Sequence, residues 1–142
     1  MAATSTAPDP SSAAAAADDP RRVRWGDGTA FVGTPFIEVV PASATDGRVV
    51  VLAAAMPPGL RVDPHVHEDE DQIVVVVEGT VHCRVGADER VVEAGGVVFM
   101  PRGVEHELHN VGPDQARTLE LYTPGGFEQV LRSGGRAPGV AG

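Results

Sequence analysis

The 142-residue chain contains no lysine, one cysteine and five serines, and each scarcity removes a class of chemistry. Without lysine there is no Schiff-base intermediate and no lysine general base. Three of the serines lie in the first twelve residues and none stands in a nucleophile elbow, which argues against a serine hydrolase. Cys83 has no second cysteine to pair with and fits a reducing compartment. Its flanks, VHCRV, read as a strand interior, so a buried and inert thiol is expected. Positive charge is scarce as well: eleven arginines, scattered singly or in pairs, face twenty acids. A formal net charge of −9 argues against nucleic acid or an anionic membrane as partner, because phosphate binding needs clustered cations. No apolar run approaches the length of a membrane-spanning helix. The opening MAATSTAPDPSSAAAAADDP lacks the positive start and apolar run of a secretory signal. A cytoplasmic protein is the expectation.

What the chain does have is turn vocabulary. Seventeen glycines and twelve prolines punctuate short runs rich in β-branched residues. The strands expected are FIEVV (36–40), RVVVLAAAM (48–56), QIVVVVE (72–78), TVHCRV (80–85), ERVVE (89–93), VVFM (97–100) and ARTLELY (116–122). Their spacing suggests a sandwich or closed barrel rather than a parallel α/β sheet. The unbroken run IVVVV predicts a strand covered on both faces. Helical periodicity appears only at FEQVLRSG, with Phe127, Val130 and Leu131 on one face and Gly134 as a stop. Residues 1–22 read as a disordered tail, 23–133 as one β domain and 134–142 as a flexible end.

Chemistry concentrates in PHVHEDEDQIVVVVEG, residues 64–79. On a strand, residues two apart share a face, so His65 and His67 project together with Val66 opposite. Two imidazoles on one face can reach one metal ion at about 2.0–2.1 Å. The four acids that follow, Glu68 to Asp71, imply an opening to solvent beside them. A third histidine, His106, follows a Pro-Gly turn in GVVFMPRGVEHELHN, residues 96–110.

Those two blocks resemble the paired motifs of the cupin family. The first, G-x5-H-x-H-x4-E-x6-G, is matched by Gly59, His65, His67 and Gly79, with Gln72 in the glutamate position. The second, G-x5-P-x-G-x2-H-x3-N, is matched in full by Gly95, Pro101, Gly103, His106 and Asn110. The resemblance covers residues 25–132, and TPGGFE (123–128) also resembles a segment of small cupins grouped with quercetin dioxygenases. It implies an all-β antiparallel jelly-roll barrel with a short C-terminal helix, and one divalent metal ion (Zn, Ni, Fe or Mn) held by His65, His67, Gln72 and His106. It also makes a homodimer and a small-molecule substrate the expected partners, and turns at Gly79 and Gly103.

Glutamine at position 72 is the departure from the motif. An amide can ligate through its carbonyl oxygen, yet it leaves the site one charge more positive and removes a carboxylate from it. Both changes favour polarising a carbonyl or enolate over activating O₂. The same ligand set resembles that of uronate-ketonising cupins and polyketide cyclases. A slip that made Glu70 or Asp71 the ligand conflicts with the spacing from 72 to Gly79. The expected function is a Lewis-acid cyclase or isomerase acting on a small enolisable or phenolic molecule. A cupin-type dioxygenase and a non-catalytic binding module stay open as alternatives. Candidate proton carriers are Glu70 and His109, with Asp71, Glu105 and Glu107 also close in sequence to the ligands. Odd spacing from His106 turns His109 to the other face, and the orientation of His82 is open. Arg84 is expected on the surface, and Tyr122 and Phe99 as barrel lining.

Overall fold

The fold is known from a computed structural model that describes residues 28–31 and 33–133. The expectations for residues 1–22 and 134–142 fall outside the described residues. Ten strands form two antiparallel sheets: β1 (Thr29–Ala30), β2 (Phe36–Val40), β3 (Val50–Met56), β4 (Arg61–His65), β5 (Asp71–Glu78), β6 (Thr80–Val85), β7 (Asp88–Glu93), β8 (Val97–Met100), β9 (His106–Asn110) and β10 (Ala116–Thr123). One sheet runs β1-β2-β3-β10-β5-β8 and the other β4-β9-β6-β7. A short helix, α1 (Glu128–Arg132), closes the order. This is the all-β jelly roll that the sequence implied.

Strands β2, β6 and β8 occupy the expected residues, and β3, β5, β7 and β10 shift by one or two. Sequence reading omitted β1, β4 and β9. β4 carries Pro64, which fits the sheet edge where it lies. β9, HELHN, is polar but central, paired to β4 on one side and β6 on the other. Its ladder, rather than its propensity, makes it a strand.

The β5 expectation needs correcting. Gln72, Val74 and Val76 are buried, whereas Ile73 and Val75 are half-buried and Val77 is 38% exposed. Among the described residues, only the inner face of β5 is fully covered. Phe99 likewise points outward, 57% exposed, instead of lining the interior. Phe127, which precedes α1, and Leu131 within it are buried as expected, but Val130 is 43% exposed.

Two apolar clusters fill the space between the sheets. One holds Phe31, Phe36, Val50, Leu52, Ala54, Tyr122, Phe127 and Leu131. The other holds Met56, Val62, Val74, Val76, Val81, Cys83, Met100, Leu108 and Ala116. Removing a side chain such as the fully buried Leu52 costs about 2–5 kcal/mol. The chamber described next takes its apolar lining from both clusters.

Candidate metal centre

His65 ends β4, and the chain leaves the strand before His67. The pair is therefore not held by strand geometry throughout, as the spacing suggested. The imidazoles nonetheless meet, with ring centroids 4.9 Å apart. His106 opens β9 directly across from His65, and its ring centroid lies 4.4 Å from that of His65 and 5.3 Å from that of His67. One ligand atom from each histidine falls within 4.8 Å of the others. Gly103 N–H donates to the His67 carbonyl at 2.8 Å, tying the turn that delivers His106 to the loop that carries His67. Asp71 accepts from the Arg102 backbone N–H at 2.9 Å and pairs with its guanidinium, which clamps the same turn to the start of β5. That backbone bond, and then the side-chain bond, hold the Asp71 carboxyl below its ordinary range.

Hydrogen bonding fixes which imidazole nitrogen faces inward. His65 Nδ1 lies 2.8 Å from the Asp63 carbonyl, and His106 Nδ1 lies 3.3 Å from that of Val104. An acceptor at Nδ1 selects the Nδ1–H tautomer and leaves Nε2 as a lone pair. His67 Nδ1 has Glu70 Oε2 at 3.8 Å. Among the described residues, four buried side-chain polar atoms lack a hydrogen-bond partner, and three of them are His67 Nε2, His106 Nε2 and Gln72 Oε1. A buried acceptor without a donor costs about 1–3 kcal/mol, and a cation shared by the clustered imidazoles would offset that cost.

Protonation agrees with that need. Desolvation, followed by the charges of His65 and His106, pushes His67 down to about 3. Desolvation and His65 push His106 to about 4, and burial lowers His65. All three are neutral at pH 7 and ready to ligate. The three imidazole nitrogens fit a divalent ion, and Gln72, 2% exposed, lines the same chamber as His65 and His67.

The chamber is lined by Phe36, Val62, His65, His67, Gln72, Leu108, Glu120, Tyr122 and Phe127. Sequence reading missed Glu120. Its carboxyl is 2% exposed, accepts a hydrogen bond from the Tyr122 hydroxyl at 3.1 Å, and is raised by desolvation to about 7. Tyr122 stands directly across from Gln72 in the β5–β10 ladder. Of the proton carriers expected from sequence, Glu70 is half-buried at the rim, its carboxyl raised by desolvation and then by Asp69. His109 sits on the outer face of β9, between Arg61 and His82 of the neighbouring strands. Glu105 and Glu107 bind Arg84 there, at 2.8 and 3.2 Å, so that arginine lies on the surface as expected. Cys83 is buried and its thiol raised to about 11, first by burial and then by Glu120.

The cupin domain profile matches residues 52–122, half of the chain, and spans His65, His67, Gln72 and His106. The chain belongs to the cupin family. Among curated relatives, this cupin is 30% identical over 106 residues to the polyketide synthase CurC of Streptomyces cyaneus, a match that covers 75% of the chain and 64% of that protein. It is 31% identical over 67 residues to the tetracenomycin polyketide synthase protein TcmJ of Streptomyces glaucescens, covering 47% of the chain and 45% of TcmJ. The cupin thus spans less than two thirds of the length of either relative. Among solved structures it resembles TT1209 of Thermus thermophilus, with a TM-score of 0.59 and 29% identity over 66% of this chain and 85% of that one.

Proposed function

We propose that this cupin is a metal-dependent enzyme that cyclises or isomerises a small enolisable or phenolic substrate, without redox chemistry. One observation carries the proposal: ligand atoms of His65, His67 and His106 lie within 4.8 Å of one another with no carboxylate among them, and the Nε2 atoms of His67 and His106 are buried without a partner, as is Oε1 of the chamber-lining Gln72. The names of CurC and TcmJ support a polyketide-like substrate. Zn, Ni, Fe and Mn all suit such donors.

A bound divalent ion would supply a Lewis acid that polarises a substrate oxygen. The chain's own residues do the rest. Carbonyls of Asp63 and Val104 orient two of the imidazoles. Phe36, Val62 and Leu108 exclude water from the chamber. Glu120, with its proton balanced near pH 7, is the best-matched group to move a proton between substrate carbon and oxygen, and Glu70, 3.8 Å from His67 Nδ1 at the rim, is a second candidate proton carrier. The role expected for His109 finds no support in its outer-face position.

The deciding experiment is anaerobic incubation of Zn- or Ni-loaded protein with poly-β-ketone and unsaturated uronate probes, followed by mass analysis. A product equal in mass to the substrate, or lighter by water alone, supports the proposal. A strict requirement for O₂ replaces it with the dioxygenase reading, and a probe returned unchanged leaves a binding module. We also propose that the protein pairs with a second copy through the apolar outer face of its larger sheet.

A further inference from the structure

The chamber measures about 10 Å³. That is room for one ion or one water, whereas a cavity that accepts benzene measures about 150 Å³. No ring-bearing substrate enters unless part of the lining moves. Seven of the nine lining side chains belong to hydrogen-bonded strands, and His67 is tied through its own carbonyl to Gly103. Phe127 is the exception. It follows Gly125 and Gly126 and leads a helix of five residues, too short to hold itself together.

The position of its ring is specific. Phe127 stacks on Tyr122 with centroids 4.7 Å apart and planes 23° from parallel. It meets His67 edge to face at 4.8 Å and 86°. A single six-membered ring thus fills the space between a tyrosine face and an imidazole whose Nε2 awaits a partner.

We propose that Phe127 is a displaceable plug that holds the place of an aromatic substrate ring. Entry swings the segment from Gly125 outward, and a phenolic ring then stacks on Tyr122 with its hydroxyl toward the ligand atoms. The exchange replaces one aromatic stack by another, each worth about 0.5–1.5 kcal/mol, so the cost is confined to releasing α1. The anchors of α1 are countable: Leu131 and Glu128 are buried, Gly126 N–H donates to the Glu128 carboxylate at 2.8 Å, Arg132 pairs with Glu38, and Gly125 N–H donates to the Gly47 carbonyl at 2.8 Å. The inference rests on the metal-holding chamber proposed above and narrows its substrate to planar phenols and enols.

The test uses the full chain loaded with Co(II), with catechol as the probe and the visible cobalt spectrum as the readout. In the wild type the binding rate levels off as catechol rises, because opening limits it. In Phe127→Ala the rate climbs in proportion to concentration. Affinity rises about 10- to 100-fold, the reciprocal of an open population of about 1–10%. Phe127→Leu, which keeps most of the volume, gives a smaller gain and serves if the alanine variant does not fold. In the Phe127→Ala background, Tyr122→Leu weakens catechol several-fold but leaves acetohydroxamate, a chelator without a ring, unchanged. Equal rates and affinities with and without Phe127 overturn the plug while the metal site stands. Indifference of catechol to Tyr122→Leu overturns the ring assignment. If Co(II) does not load the wild type, the chamber reading and the plug fall together.

Discussion

At the scale of single residues, the protein sets neutral imidazoles against a buried acid. His67 and His106 titrate far below the usual 6.5, so their contribution to stability is complete above that value and is lost as pH falls toward about 3–4. Glu120 runs the other way. Its folded pKa is raised from 4.5 to about 7, so its stability is complete below about 4.5 and is lost as pH rises through about 7. The loss amounts to about 3 kcal/mol at about 1.4 kcal/mol for each pH unit. Metal-free Glu120→Gln should therefore melt close to wild type at pH 5 and several degrees above it at pH 8. A melting difference that does not change with pH would show that Glu120 is not the group that titrates. For the ligands, metal analysis is the check: His106→Ala should lose most of its bound metal, while Gln72→Glu keeps the metal and changes turnover. A His106→Ala protein as metal-loaded as wild type removes the site.

Among the elements, the turns hold the ligands in place, and they were the most legible part of the sequence. Gly79 joins β5 to β6 with φ at +86°, and a Cβ there would sit 2.8 Å from the Ala116 Cα. Gly79→Ala combines left-handed strain with a backbone clash, and should lower stability by about 2–4 kcal/mol in urea denaturation. A variant within about 0.5 kcal/mol of wild type would contradict that geometry. Gly103, at φ +75°, turns the chain toward His106 as its motif implied. The strands were less legible at the site itself. Alternation in ARTLELY puts Leu119 and Leu121 on one face and Thr118, Glu120 and Tyr122 on the other, and a binary pattern would send the leucines inward. The structure does the reverse, burying Glu120 and Tyr122 and leaving both leucines half-buried outside. The rule fails because the interior is polar where it meets the ligands. Tyr122 was read as lining and does face inward, but the acid two residues before it on the same face was not read as part of the site. Phe127 was read correctly as buried, but nothing in a short helical pattern indicates that its ring reaches an imidazole from the loop after β4.

The inversion has a consequence for the whole molecule. Two apolar rows cross the outer face of the larger sheet. Ile37, Ala53, Leu119, Val75 and Val97 form one, and Val51, Leu121, Ile73 and Phe99 form the other, each neighbour set by strand register. Val97 and Phe99 are 62% and 57% exposed. The chain carries a net charge of −9, yet neither row contains a charged residue. Charges stand at the margin, where Arg117 pairs with Glu78 at 3.4 Å. A two-fold axis through such a face sets apolar rows against each other and lets Arg117 of one copy face Glu78 of the other. Contiguous exposed apolar surface of this kind marks an interaction site. It also accounts for IVVVV, whose outer residues would then be covered by a second copy as the unbroken run implied. The pairing predicts that Phe99→Glu, which leaves the chamber lining untouched, shifts the protein from dimer to monomer in sedimentation at micromolar concentration. Its bound metal should stay at the wild-type level. A wild-type chain that sediments as a monomer across that range would refute the pairing, and would require another partner for this face.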